Sequence, residues 1–328
     1  MAKYENKQKV YVKSDNNTCK LLNRYTYTLT FFTIISLIIN ALIKNSITNT
    51  IKSLIISLLS TIIITYIINI IKKDYDIKKV FLEDNAIAIG LVLGLFTCQS
   101  IPILLIAVII TLAIKNIFKN FEFSSVLFGA LIITAYNAYI LNSPINPLLL
   151  AIHDNYAITF KDFFDNTLNY LFGIDYLAPA LAITMFIYLF YKKSIKYNIV
   201  IYYILTIFLM LLAFCASKEI AWLSFFELAA SGLFFLTIYA LADYKNSPTI
   251  ALAQILYGII LGVITVILKF IIPDFAVLVS MIIGITILSG LIERISYKLK
   301  YDKKIYNLSI IISITLVIVT TVTLIIIK

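Results

Sequence analysis

Four carboxylates in this chain stand beside breaks in otherwise apolar runs. Glu83 and Asp84 precede a run that opens at Ala86, Glu227 lies near the start of another, and Asp243 closes that second run. A carboxylate at membrane depth is costly unless it is paired, wet, or holding a cation or proton. All four are therefore candidates for an ion path, with Glu227 and Asp243 foremost because each sits beside a helix break. Snorkelling and the dipoles of helix ends explain the same placement equally well. Lys115 ends a further run, and Gly90, Gly94, Gly258 and Gly262 permit close backbone approach, the last two as a GxxxG pair. Helix packing is the favoured role for these glycines over contact with a ligand.

Other chemistries are poorly served. The single histidine, His153, lies in a polar loop, and Cys19, Cys98 and Cys215 show neither metal nor disulfide spacing. That excludes a multi-histidine haem or zinc site and leaves the cysteines as packing residues. No GxGxxG, P-loop or nucleophile elbow is present, so hydrolysis or hydride transfer by this chain alone is not expected. No catalytic residue and no metal ligand are assigned.

The elements that must position these residues are apolar throughout. Hydrophobic residues make up 61% of the 328 positions and charged residues 13%, and the mean hydropathy is +0.98. A bilayer accepts such a chain as helices that satisfy their own backbone hydrogen bonds. The fold class expected is all-α, a polytopic membrane bundle of ten or eleven helices. Spans are placed at 25–43, 51–71, 86–98, 101–118, 124–141, 176–191, 199–216, 220–241, 250–272, 274–292 and 305–327. The third is short for a hydrocarbon core of about 30 Å, which suggests a broken or steeply packed helix.

Orientation follows from the basic residues. With the N-terminus cytoplasmic, 21 of the 27 Lys and Arg fall on the inner side, and only Lys44, Lys52, Lys161, Lys218, Lys269 and Lys328 fall outside. The formal net charge of +10 is then accounted for by topology and the anionic inner leaflet. The partner it implies is the lipid bilayer, not a nucleic acid. The first apolar stretch has no small-residue cleavage site behind it and reads as the first span.

Two regions share a pattern. Glu83, Gly90, Pro102 and Lys115 find counterparts in Glu227, Gly232, Pro248 and Lys269, at offsets of 144, 142, 146 and 154 residues. Five spans separate the copies, so they cross in opposite senses. This is the layout of an inverted-topology repeat, spans 1–5 against spans 6–10, with a site expected near their interface. The longest connection, residues 142–175, lies on the outer face and carries Asp154, Asp162, Asp165 and Asp175.

The stretch from Glu83-Asp84-Asn85-Ala86 through Gly90 and Gly94 to Pro102 and Lys115 resembles the first block of the RnfD/NqrB family. A second stretch is similar to that family's glycine-rich helix, its threonine-aspartate-proline turn and the helix that follows. It comprises Ser231-Gly232-Leu233-Phe234-Phe235, Ala242-Asp243, Ser247-Pro248, Gln254, Tyr257-Gly258 and Gly262. The resemblance spans residues 25–298 and leaves a basic N-terminal segment, 1–24, and a connector with an extra C-terminal helix, 299–328. It implies a membrane subunit of an Rnf- or Nqr-like complex in a bacterial inner membrane, acting with the other subunits and never catalytic alone. Flavin-mediated electron transfer would there be coupled to movement of Na⁺ or H⁺.

The resemblance also implies a cofactor. Members carry FMN on a threonine after span 5, in a serine-glycine-alanine-threonine motif; the matching stretch here is Tyr156-Ala157-Ile158-Thr159, which keeps only the threonine. Thr159 is thus the candidate for covalent FMN. Ser231, Gly232 and Ser247 are the candidates for flavin contact, which includes a non-covalent flavin. Ala242 and Tyr244 replace the threonine and proline around Asp243, and Lys119-Asn120-Phe121-Glu122-Phe123 replaces a glycine-rich turn. The alternative function is a transporter or channel for a small solute, a flavin among them, on the same scaffold.

Overall fold

A computed structural model describes residues 18–43, 48–72, 85–96, 98, 100–118, 124–141, 178–217, 223–224, 228, 233–242, 246–272, 275–299, 315, 317–323 and 325. No strand occurs among them. The first half holds α1 (Thr18–Ile43), α2 (Thr48–Ile71), α3 (Ala86–Leu95), α4 (Ile101–Ile117) and α5 (Val126–Leu141). The second holds α6 (Ala178–Tyr191), α7 (Tyr197–Ser217), α8 (Leu233–Leu236) and α9 (Ala251–Ile271), then α10 (Ala276–Ile283) and α11 (Ser289–Leu299). A π turn, Thr237–Leu241, extends α8, and another, Gly284–Leu288, joins α10 to α11. Residues 315, 317–323 and 325, within the last expected span, are helical too.

Among the described residues, four helices are long and apolar enough to cross a membrane: Ile51–Ile71, Tyr197–Ser217, Ala251–Ile271 and Ala276–Ser296. The protein is a helical membrane protein. Helix α2 shows why such a sequence packs inside-out. Ile51, Ile55, Leu59, Ile63 and Ile67 are exposed at intervals of four, a stripe suited to lipid, while Ser53, Ser57, Thr61 and Thr65 are buried on another face. Lipid tails solvate isoleucine as well as a protein core does, so close approach and hydrogen bonding select the inward face.

Contacts in the two halves correspond. In the first, α1 meets α3, α2 meets α3 and α4, and α4 meets α5. In the second, α6 meets α8, α7 meets the π turn after α8 and also α9, and α9 meets α10. Helix contacts between the halves include α1 with α6 and α5 with α10, and α1 also sets Phe32 and Tyr25 against Phe235 of α8 and Tyr239 of its π turn. The α1–α6 and α5–α10 contacts each pair a helix with the counterpart that the sequence repeat assigns to it.

Glycines set two of these seams. A Cβ at Gly94 would stand 2.7 Å from the Leu54 Cα of α2, and one at Gly262 would stand 2.8 Å from the Thr206 Cβ of α7. All four glycines face a neighbouring helix, as expected of packing positions. The third span is short, as its sequence suggests: α3 has ten residues. The tenth is longer than expected, because α10, its π turn and α11 run on from Ala276 to Leu299.

Candidate functional site

Ser247 lies in the connection between the π turn of α8 and the start of α9, and its neighbours form a polar knot. The Lys196 ammonium, just before α7, donates to the Ser247 carbonyl at 2.5 Å. Asn246 donates its amide to the Ser124 hydroxyl, just ahead of α5. The Asn198 amide donates to Gln254 Oε1 at 3.0 Å. Gln254 Nε2 in turn donates to the carbonyls of Pro248 and Thr249, each at 3.2 Å. Glu293 of α11 accepts the Thr249 N–H on both oxygens, at 3.2 and 3.0 Å, and the Thr249 hydroxyl as well.

Local sequence explains the geometry. Pro248 cannot continue a helix from upstream, and Ile250 is extended at the N-cap of α9. With no cap hydrogen bond from Ile250, Gln254 on the first turn of α9 reaches back to hold the turn. The bidentate carboxylate of Glu293 is a charge-assisted acceptor for a backbone amide. The knot fastens α5, α7, α9 and α11 at one end of the bundle. Since Ser124 belongs to the first half and Asn246 to the second, it also joins the halves.

A second stitch lies beside it. Arg24 of α1 donates to the Lys192 carbonyl at 2.9 Å and the Ser194 hydroxyl at 3.1 Å, and Tyr25 donates to the Ser194 carbonyl at 3.4 Å. Deeper in the bundle runs a chain of hydroxyls. Tyr203 of α7 bonds Thr265 of α9 at 2.9 Å, and Thr265 bonds Ser280 of α10 at 2.8 Å. All three side chains are buried.

Of the residues singled out in the sequence, Ser247 is placed in this knot and is 4% exposed. Thr159, Ser231, Gly232, Glu227, Asp243, Glu83 and Asp84 lie outside the described residues. Asp243 directly follows Ala242, which is fully buried and whose N–H bonds the Thr237 carbonyl at 3.0 Å across the π turn. Lys269, assigned by charge to the outer face, is 3% exposed in the last turn of α9. Its neighbour Phe270 packs edge-on against Phe214 of α7 at 4.9 Å, and this tight α7–α9 seam carries the lysine into the interior. Cys98 and Cys215 are buried and unbridged.

The sequence reading missed Lys196, Asn198, Ser124, Thr249 and Glu293 as parts of the knot. The available signal was Glu293, one of few acidic residues at a span end, at a distance in sequence that only the fold closes.

No curated protein matches the chain. The model of the NQR2, RnfD, RnfE family matches it over residues 6–302. That match takes in α1 to α11, the knot and the glycine seams. The chain belongs to the NQR2, RnfD, RnfE family, membrane subunits of multi-subunit Rnf/Nqr-type complexes.

Proposed function

We propose that this chain serves an Rnf/Nqr-type complex in which flavin-mediated electron transfer drives Na⁺ or H⁺ across a bacterial inner membrane. The observation that carries this reading is the family match over residues 6–302. The N-terminus faces the cytoplasm, as the basic residues require, so the end bearing Lys196 and the knot is the inner end. Glu227 and Asp243 contact the moving cation or proton, with Glu83 and Asp84 in support. The other subunits of the complex supply the remaining electron carriers.

The described residues do not form a flavin cradle. Around Ser247 the donors and acceptors are engaged with one another: Lys196 holds its carbonyl, and Gln254 holds those of Pro248 and Thr249. What these side chains do is fix the turn that follows Asp243 and close one end of the bundle. A flavin, where bound, supplies the redox chemistry.

The test uses membranes from the native host. Donor-driven Na⁺ or H⁺ uptake is measured with the native chain, Glu227→Ala and Asp243→Ala, alongside in-gel flavin fluorescence and mass mapping of residues 154–165. The reading expects uptake to fall at least tenfold in both variants, and an FMN mass shift on Thr159. Unchanged uptake would exclude the ion-path assignment. A chain without flavin or donor-driven uptake would point instead to solute transport.

A further inference from the structure

The first turn of α3 is buried, and the side-chain amide of its cap residue lacks a partner. Asn85 caps the helix in the left-handed conformation, φ 52° and ψ 23°, and makes no side-chain cap bond. It is 2% exposed, and its amide Nδ2 has no hydrogen-bond partner. Ile89 N–H bonds the Asn85 carbonyl at 3.0 Å. The amides of Ala86, Ile87 and Ala88 precede it, in the turn a helix leaves without internal acceptors. Ala86 and Ala88 are fully buried, so water does not serve that end freely.

A second helix turns a hydroxyl toward the same place. On α2, Ser53 donates to the Gly94 carbonyl at 2.9 Å and Ser57 to the Gly90 carbonyl at 2.6 Å. Thr61, one turn on, lies 2.5 Å from where a Cβ of Gly90 would stand. The helices run antiparallel, so the next turn brings Thr65 level with the opening of α3. Thr65 is 4% exposed and its hydroxyl, too, has no partner. Helix α2 continues six residues past Thr65 to Ile71, so this end of α3 lies about 9 Å inside the end of its neighbour.

We propose that the N-terminus of α3, with Asn85 and Thr65, binds an oxyanion, a carboxylate or phosphate group. The groups that converge there can donate: an amide, a hydroxyl and the first-turn N–H groups, which a helix leaves without internal acceptors and whose dipole also favours negative charge. Half-helix N-termini below the membrane surface hold anionic groups in the same manner. This site does not involve the knot and does not rest on the redox proposal, but Asn85 directly follows Glu83 and Asp84, so the test must show that neither of those carboxylates fills it.

The experiment uses the full chain in a neutral detergent, with inorganic phosphate and acetate each titrated against chloride at constant ionic strength. The native chain is expected to gain about 3 °C in Tm with one of the two probes. Asn85→Asp, which places a carboxylate at the cap itself, should show a raised starting Tm and no response. Thr65→Val should fold and need a several-fold higher probe concentration. If only nanodiscs containing phosphatidylglycerol reproduce the gain, and Asn85→Asp abolishes it, the oxyanion is a lipid headgroup. The proposal is overturned if neither probe nor lipid shifts the native Tm, or if Asn85→Asp responds as the native chain does. It is equally overturned if Glu83→Gln or Asp84→Asn lowers Tm in a native chain that ignores the probes, since the chain then fills the site itself.

Discussion

The α2–α3 and α7–α9 seams solve one packing problem with different chemistry. In both, two glycines four residues apart press against a neighbouring helix. In the first, serines cross the seam: Ser53 and Ser57 donate into the carbonyls of Gly94 and Gly90. In the second, Gly258 lies against the Tyr203 amide and Ile199 carbonyl, while Gly262 faces the Thr206 side chain. This seam too is crossed by polar contacts, but between side chains and not into the glycine carbonyls: Tyr203 bonds Thr265, and Asn198 donates to Gln254. A ten-residue helix such as α3 has little surface to bury, so side-chain hydrogen bonds to its backbone replace length. The twenty-one-residue α9 offers more surface, so its backbone carbonyls are left to the helix and van der Waals contact is joined by side-chain bonds such as Tyr203–Thr265.

Substitutions can break that comparison, and the largest effect is expected at Gly94. Its added Cβ meets the Leu54 backbone at 2.7 Å, which no side-chain rotation relieves. Gly94→Ala should cost about 3 kcal/mol, within the range for overpacking, read as a fall in detergent-solubilised Tm. Gly262→Ala meets a threonine side chain instead and should cost about 1–2 kcal/mol. Gly290→Ala, in a helix and with nothing within 4 Å, should stabilise by about 0.5–1 kcal/mol through helix propensity alone and serves as the control. Equal losses at Gly94 and Gly262 would remove the distinction between the seams.

Hydrogen-bond deletions sharpen it. Ser57→Ala should cost about 1 kcal/mol, as interhelical bonds in membranes do, and should lower hydrogen-exchange protection in α3 before α2. Tyr203→Phe should cost a similar amount, because it removes the bond to Thr265. The smallest effect is expected from Tyr257→Phe. That hydroxyl is buried without a partner, so its loss should be neutral or slightly stabilising. Unfolding curves for the two tyrosine variants, recorded side by side, would refute the assignment if their order were reversed.

The helical class, the spans and the short third helix were legible because lipid imposes length and apolarity on every crossing segment. The packing role of the glycines was legible too, since few other uses exist for a glycine pair inside an apolar helix. The knot was not. Lys196, Ser124, Thr249 and Glu293 are ordinary polar residues at span ends, and their meeting depends on how four helices converge. Nor did Asn85 stand out from the Glu83-Asp84-Asn85 cluster. Its left-handed cap and unpaired amide are properties of a backbone path that sequence spacing does not record. The repeat was visible only as scattered matches, and the α1–α6 and α5–α10 contacts agree with the pairing it implies.

The central claim is that this chain works inside an Rnf/Nqr-type assembly. The most direct measurement is to tag the chain in its native host, solubilise membranes in mild detergent, and identify what co-purifies by quantitative mass spectrometry. The account predicts the other subunits of an electron-transport complex in fixed stoichiometry, in a particle that oxidises a donor and carries flavin. Recovery of this chain alone, from a host that expresses those subunits, would contradict it.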